Sequence, residues 1–403
     1  MIRPSLTDAA FLRAPGVKAV FAALGGSETR IVGGAVRDAL LGRAVREIDF
    51  ATTMTPDAVI AAVEAAGMKA VPTGLAHGTV TVVANGAGYE VTTFRRDVET
   101  DGRRAVVAFT EDWEEDAARR DFTMNALYCA ADGAVFDPVG GYEDLRAGRV
   151  RFIGSAEDRI REDYLRILRF FRFFAWFGSG RPDADGLRAT ARLKAGMSVL
   201  SAERVWREMK RLLAAPDPAR ALLWMRTTEV LQAALPESWG IDAMPRLLAA
   251  EPELGIDPDP MLRLEAILPP RRERIEELAV RLRLSGAERD RLFAWADAPE
   301  ADPELTEADL RKRLYRNGAT GAHDRIVHAF AREHEAGNAA AAASLRKQRD
   351  VCLGWQRPRF PVSGDDLARM GLIAGPAMGE RLRELEDRWV ESGFALTPEE
   401  LLS

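Results

Sequence analysis

Residues 31–53 read IVGGAVRDALLGRAVREIDFATT, and this stretch decides the fold of the N-terminal part of the chain. An apolar run ending at Ile31-Val32 enters a Gly33-Gly34 turn, residues 36–41 read as helix, and a second strand over 47–51 carries Glu47 and Asp49. Side chains on a strand alternate faces with a period of two, so acids at i and i+2 point the same way. Glu47 and Asp49 are therefore expected to share metal ions, an arrangement suited to metal-dependent nucleotidyl transfer.

Working outward, residues 17–25 read as a short helix and 29–32 as a buried strand. Thr55-Pro56 opens another helix, with proline at its first position. Residues 78–83 and 89–94 are β-rich and flank NGAG, the pattern of a hairpin. These elements make a small mixed α/β head ending near residue 144, after which strand signals nearly vanish. From Ala156 the stretch AEDRIREDYLRILRFFRFFAWF has apolar residues at three- and four-residue spacing, and GSGRPDADG breaks it. Further helices are expected over 200–214, 219–234, 271–284, 286–296, 305–316, 322–336 and 379–392. The expected class is α+β: a head over 1–144, then an all-helical neck (145–218), body (219–350) and tail (351–403).

With 403 residues, 47% hydrophobic and 29% charged, the chain is long enough for several domains with substantial cores. No run approaches the roughly eighteen apolar residues that span a bilayer, and MIRPSLTDAAFLRAPG carries an acid where a signal peptide has its apolar core. The expectation is a cytoplasmic protein with no membrane partner. Its two cysteines, Cys129 and Cys352, have neither metal-ligand nor disulfide-framework spacing and read as packing residues. A net charge of −6 argues against indiscriminate coating of nucleic acid, which rests on phosphate neutralisation. Local basic grooves remain open.

Gly33 and Gly34 would let backbone N–H groups approach a triphosphate, with Arg37 and Asp38 a turn further on in the same nucleotide-binding set. Glu47 and Asp49 are the candidate Mg²⁺ ligands, because hard cations take oxygen donors. Glu90, at the start of the second hairpin strand, is the candidate third catalytic acid. In RRDFTMNA (residues 119–126), Arg120 suits phosphate, while Asp121 and Asn125 suit ribose; a helix start capped by Asp121 is the plainer alternative. Glu162, Asp163 and Arg166 fall three and four apart on the long helix and would share one surface. An Asp acceptor beside an Arg donor can imitate the Watson–Crick edge of a base, although an ordinary ion pair uses the same spacing. Arg169 and Arg172 extend that helix toward triphosphate or primer. The neighbouring phenylalanines Phe170, Phe171, Phe173, Phe174 and Phe177 and Trp176 read as core. His323-Asp324 forms an HD pair, but the chain has only four histidines, so the pair reads as structural. His77 reads as support for its Gly-rich turn.

These motifs together resemble the class II tRNA nucleotidyltransferases, the CCA-adding enzymes, and the related bacterial poly(A) polymerases. GGAVRDALLGRAVREID resembles the catalytic signature and RRDFTMNAL the sugar-recognition signature. DPVGGYEDLRAGRVR resembles the head-to-neck hinge, EDYLR the amino-acid template, and SAERVWREMKRLL the neck motif that follows. The resemblance implies a polymerase-β-type nucleotidyltransferase head and partners CTP, ATP and the tRNA 3′ end. It implies phosphate and nucleotide contacts on Gly34 and Arg37, metal on Glu47 and Asp49, and further nucleotide contacts on Arg120, Asp163, Arg166, Arg169 and Arg172. TDGRRAVVAFTEDW (100–113) resembles the flexible segment used in switching from C to A, and PVSGDDLARMGLIAGPAMGERL (361–382) the tail element.

One position departs from the family pattern, which has Asp at both metal positions where this chain begins with Glu47. Three activities compete. CCA addition leads. Poly(A) or A-only addition is the alternative, against which stands TGLAHGTVTV (73–82), resembling the CCA branch. A non-catalytic RNA-binding relative is the third.

Overall fold

The computed structural model describes residues 4–25, 29–75, 78–101 and 104–403, leaving aside the side chains of 96–107. His77 and part of the 100–113 segment therefore fall outside the described residues. The chain divides into two compact units, one of 1–212 with 220–234 and the other of 213–219 with 235–403.

In the first unit the strands are β1 (Thr29–Val32), β2 (Asp49–Thr52), β3 (Lys69–Gly74), β4 (Thr79–Ala84), β5 (Ala87–Thr93), β6 (Arg95–Asp101), β7 (Arg104–Phe109), β8 (Tyr128–Cys129) and β9 (Val135–Phe136). Seven form a mixed sheet in the order β3-β4-β5-β2-β1-β8-β9, while β6 and β7 pair separately. The expected hairpin is present: Ala84 pairs with Ala87 across Asn85 (φ 51°) and Gly86 (φ 78°), the two positive φ values of a tight I′ turn. β2 lies antiparallel to β1 and parallel to β5, which sets Asp49 opposite both Val32 and Glu90. Alternation then sends Phe50 and Tyr89 to the other face. There Phe50 is fully buried between Phe21 and Tyr89, at 5.1 and 5.9 Å in edge-to-face contacts.

Helix α1 (Pro15–Leu24) supplies Phe21, and α3 (Pro56–Ala65), capped by Thr55 through the Ala58 N–H, packs against α1 and the sheet. Between them in sequence, α2 (Gly34–Leu40) starts two residues earlier than its periodicity suggests. The cause is Gly33, whose φ of 73° and ψ of −121° turn the chain sharply in a conformation open to glycine. β2 starts two residues later than expected, so Glu47 precedes the strand and has no ladder partner. Strands β3, β8 and β9 were not legible. β3 is an edge strand containing Pro72, and the other two are only two residues long.

Helices α4 (Trp113–Ala118) and α5 (Gly141–Arg146) complete the head, and α6 (Ala156–Glu162), α7 (Leu165–Phe177), α8 (Ala184–Leu193) and α9 (Ala202–Leu213) follow. The expected helix over 219–234 is two, Ala219–Thr227 and Val230–Ala234, separated where Glu229 takes φ 60°.

All regular elements described in the second unit from Ala243 onward are helices. Arg263 is buried there and paired to Glu251 at 2.6 Å. Arg291 donates to Asp324 (2.8 Å) and Asp259 (2.6 Å), and Asp324 also meets His323 at 2.8 Å, so the HD pair belongs to an ion-pair network. Burial drives the neighbouring His328 down to about 4, leaving its ring neutral at pH 7. Among the described residues, no helix is long and apolar enough to cross a membrane.

Candidate active site

One open cleft of about 610 Å³ in the first unit gathers most of the candidates. Its lining includes Gly33, Gly34, Arg37, Glu47, Asp49 and Glu90 from the head. Arg120, Asp121 and Asn125 come from the segment after α4, and Asp163, Arg166 and Arg169 from the turn into α7. Asp38, Glu162 and Arg172 do not line it. Asp38 instead accepts from Arg37 Nε at 2.9 Å, Glu162 pairs with Arg166, and Arg172 pairs with Glu208. Asp38 and Glu162 thus hold two arginines that line the cleft, while Arg172 is itself held by Glu208.

The acids begin with the β2–β5 register, which brings Asp49 beside Glu90 from a remote part of the chain. Glu47 reaches the same space from the irregular lead-in to β2. Desolvation by the cleft walls, then repulsion from Glu90 and Glu47, pushes the Asp49 carboxyl up to about 6, with Arg120 opposing. Neighbouring carboxylates, all oxygen donors, fit a hard divalent cation. Among the described residues no three His, Cys, Asp or Glu side chains are drawn together closely enough to hold one unaided. Asp49 and Glu90, with Glu47 nearby, are the donors available to it.

Four of the cleft guanidiniums, Arg37, Arg119, Arg120 and Arg169, are each held by a buried partner. Asp116, almost fully buried on α4, accepts from Arg119 Nε (2.8 Å), Arg120 Nη2 (3.0 Å) and the Tyr128 hydroxyl (2.8 Å). Arg37 Nη1 donates to Asn125 Oδ1 at 2.7 Å. Asn125 Nδ2 donates in turn to Asp121 at 2.9 Å, and Asp121 also accepts from the Phe122 N–H and from Arg169 Nε at 2.7 Å. Asp121 is thus not the N-cap that the plainer alternative made it. Phe122 occupies that place at a three-residue 3-10 turn, Thr123–Asn125, and makes no side-chain cap. Burial opposes ionisation of Asp121, but Arg169, Asn125 and the Phe122 N–H outweigh it and bring the carboxyl down to about 2. Its contribution to stability is therefore present above the unfolded value near 4 and is lost as pH falls toward 2. Asp121→Asn leaves Arg169 without this partner and should cost about 3 kcal/mol of stability. A urea midpoint matching the parent would contradict that role.

A second correction concerns the EDYLR segment. Glu162, Asp163 and Arg166 do not share one helix: α6 ends at Glu162, Asp163 is extended (φ −155°, ψ 106°), and α7 begins at Leu165. The Asp163 carboxylate accepts from the Leu165 N–H (3.0 Å) at the start of the new helix and from Arg204 at 2.6 Å. Arg166 reaches back across the break to Glu162 and to the Arg159 carbonyl at 2.9 Å. The break aims Asp163 and Arg166 into the cleft. Helical periodicity hides it, because short polar residues are unexceptional within a helix and Asp is also a good cap.

The cleft also contains Arg95, Arg119, Phe173 and Arg204, which were not among the candidates. Arg119 lay in plain view beside Arg120. Arg204 lay in SAERVWREMKRLL, whose resemblance to the neck motif did not single it out.

The fold and the cleft define a nucleotidyltransferase-type head joined to a helical trunk. Residues 29–151 match the poly A polymerase head domain, and residues 183–240 match the family described as the probable RNA and SrmB-binding site of polymerase A. The mitochondrial CCA tRNA nucleotidyltransferase 1 of Danio rerio is 36% identical over 381 residues, covering 93% of this chain and 86% of its own; the Homo sapiens counterpart is 34% identical with the same coverage. The crystal structure of the Bacillus stearothermophilus CCA-adding enzyme in complex with CTP superposes with a TM-score of 0.69 at 30% identity, covering 94% of each chain. The chain belongs to the CCA tRNA nucleotidyltransferase family, in its class II CCA-adding branch.

Proposed function

We propose that this protein adds C, C and A to the 3′ end of tRNA from CTP and ATP, without a nucleic-acid template and with release of pyrophosphate. The observation that carries the reading is the single cleft in which Asp49 and Glu90 face Arg120, Asp163 and Arg166. Relatives and a CTP-bound structure of the same family support it. We assign the transfer step to the head, 1–144, and base selection to the neck, 145–218.

The terminal ribose hydroxyl attacks the α-phosphate in line, so the protein's task is positioning and charge stabilisation. Gly33, Gly34, Arg37 and Arg120 receive the triphosphate, and Asp121 and Asn125 order the ribose side of the site. Asp163 and Arg166 present an acceptor and a donor to the base edge. Asp49 and Glu47, with Glu90 beside them, would hold magnesium, which would supply Lewis-acid stabilisation of the phosphoryl charge. The buried free thiols of Cys129 and Cys352 support a reducing compartment such as the cytoplasm; the vertebrate relatives are named as mitochondrial.

The test is incubation with a tRNA ending at its discriminator base, with CTP, ATP or both, followed by product sequencing. CCA ends are expected. Extension with ATP alone into a poly(A) tract, A-only addition, or no extension would each overturn the reading.

Glu47 should act as a metal ligand with a less favourable reach than aspartate. Glu47→Ala is expected to lower magnesium-dependent incorporation about tenfold, while Glu47→Asp retains or raises it. An alanine variant as active as the parent would remove Glu47 from the ligand set.

Proton competition at Asp49 gives a pH dependence. Its carboxyl near 6 must be ionised to bind metal, so metal affinity falls as pH drops through 6. The magnesium concentration for half-maximal incorporation should rise roughly fourfold between pH 7.5 and 5.5. In metal-free protein the sign reverses for stability: the folded state disfavours ionised Asp49, so stability falls as pH rises from about 4 through 6.

A further inference from the structure

Phe173 is buried on α7 at 4% exposure, yet it also forms part of the cleft wall. Its ring packs against Phe122 at 5.1 Å and Phe177 at 5.7 Å, as a core residue would. What sets it apart is the charge around it. Three guanidiniums stand within cation–π reach of this one ring: Arg172 at 4.3 Å, Arg37 at 5.3 Å and Arg169 at 5.5 Å from its centroid. They come from two remote parts of the chain, α2 and α7.

Part of each guanidinium's hydrogen-bonding edge is taken by a neighbouring side chain. Arg169 is bound to Asp121, Arg172 to Glu208, and Arg37 to Asp38 and Asn125. Those partners constrain each arginine separately. The feature common to all three is the Phe173 ring, whose π-system attracts each cation at these distances; Arg37 also lies 4.2 Å from the centroid of the Phe177 ring. Arg37 and Arg169 line the cleft, so this ring bears on where two of its cations point. An aliphatic side chain of similar volume would fill the core equally well but would offer no quadrupole.

We propose that Phe173 is a positioning residue for triphosphate binding, its ring holding Arg37 and Arg169 at the cleft wall with Arg172 anchored over the same ring. This rests on the nucleotidyl-transfer reading above. Because the ring acts on phosphate-facing cations and not on the base readers, it affects CTP and ATP alike.

The test keeps the shape of the ring and weakens its quadrupole. In the full-length chain, Phe173 is replaced by 4-fluoro-, 3,5-difluoro- and 3,4,5-trifluorophenylalanine, with Phe173→Leu as the variant lacking a ring. Kd for CTP and for ATP is measured in the presence of magnesium, below the melting temperature of every variant, and CTP incorporation is followed in parallel. The expected result is a stepwise rise in both Kd values, reaching about tenfold for the trifluoro ring, with little change in turnover at saturating nucleotide. Kd values flat across the fluorinated series, or a rise for one nucleotide only, would overturn the proposal. Wild-type protein that binds CTP but never transfers it would overturn the functional reading instead, and the same Kd series would still decide the role of the ring.

Discussion

Asp49→Asn is expected to reduce CTP incorporation by roughly 10³-fold while leaving the folded protein at least as stable. The loss follows from removing the charge proposed to bind metal: a few kcal/mol of Lewis-acid stabilisation, at about 1.4 kcal/mol per tenfold in rate, gives that magnitude. The stability expectation has the opposite sign for the same reason. Burial, then repulsion from the adjacent Glu90 and from Glu47, raises the Asp49 carboxyl, so a neutral amide removes both costs in the metal-free protein. Single-turnover incorporation and a metal-free thermal melt, done on one preparation, separate the two effects. Activity within tenfold of the parent would show that Asp49 is not the principal ligand, and a large fall in melting temperature would show that the substitution acts through the fold.

Arg166→Ala should have the next largest effect, and on selectivity more than on overall chemistry. The proposed base readers project from a helix break, with Asp163 bound to Arg204 and the Leu165 N–H, and Arg166 bound to Glu162 and the Arg159 carbonyl. A site built to hydrogen-bond a particular base edge rejects the wrong one because its polar groups are then left unpaired. Removing Arg166 takes away a donor and frees Glu162. The efficiency of CTP and ATP incorporation should fall about 10²-fold, and their advantage over UTP and GTP should shrink to within about tenfold. Competition among the four nucleotides on one tRNA primer, read by product sequencing, measures this directly. Retained selectivity would move base reading away from Arg166.

Much of the head was legible because its signals are local. Pro56 after Thr55 marks a helix start, NGAG between β-rich runs marks a hairpin, and the Gly33-Gly34 pair marks a tight turn; each depends on a few adjacent residues. Boundaries were less secure where neighbouring conformations compete. Gly33 lets α2 begin early, and Glu47 falls outside the ladder because pairing with β1 runs from Val32 opposite Asp49. The break at Asp163 was concealed by helical periodicity on both sides, and Glu229 divided a second helix in the same way. Short strands such as β8 and β9 are set by neighbouring strands and carry almost no signal of their own.

The sequence by itself determined the chemical inventory: carboxylates of the kind that bind magnesium, a glycine turn for phosphate, guanidiniums for charge, and an Asp and an Arg able to read a base. It also determined the order of the motifs, by which the family resemblance was legible. Only the tertiary structure decided which of these side chains meet. Parallel pairing of β2 with β5 brings Glu90 to Asp49, and Asp121 joins the head to α7 through Arg169. The ring of Phe173 collects arginines from α2 and α7. Asp38, Glu162 and Arg172 have suitable chemistry but do not line the cleft: Asp38 binds Arg37, Glu162 binds Arg166 and Arg172 binds Glu208. The physical reason is that strand register and helix packing are settled by burial of apolar faces such as Phe50 and Phe122, and the polar groups go where that burial carries them.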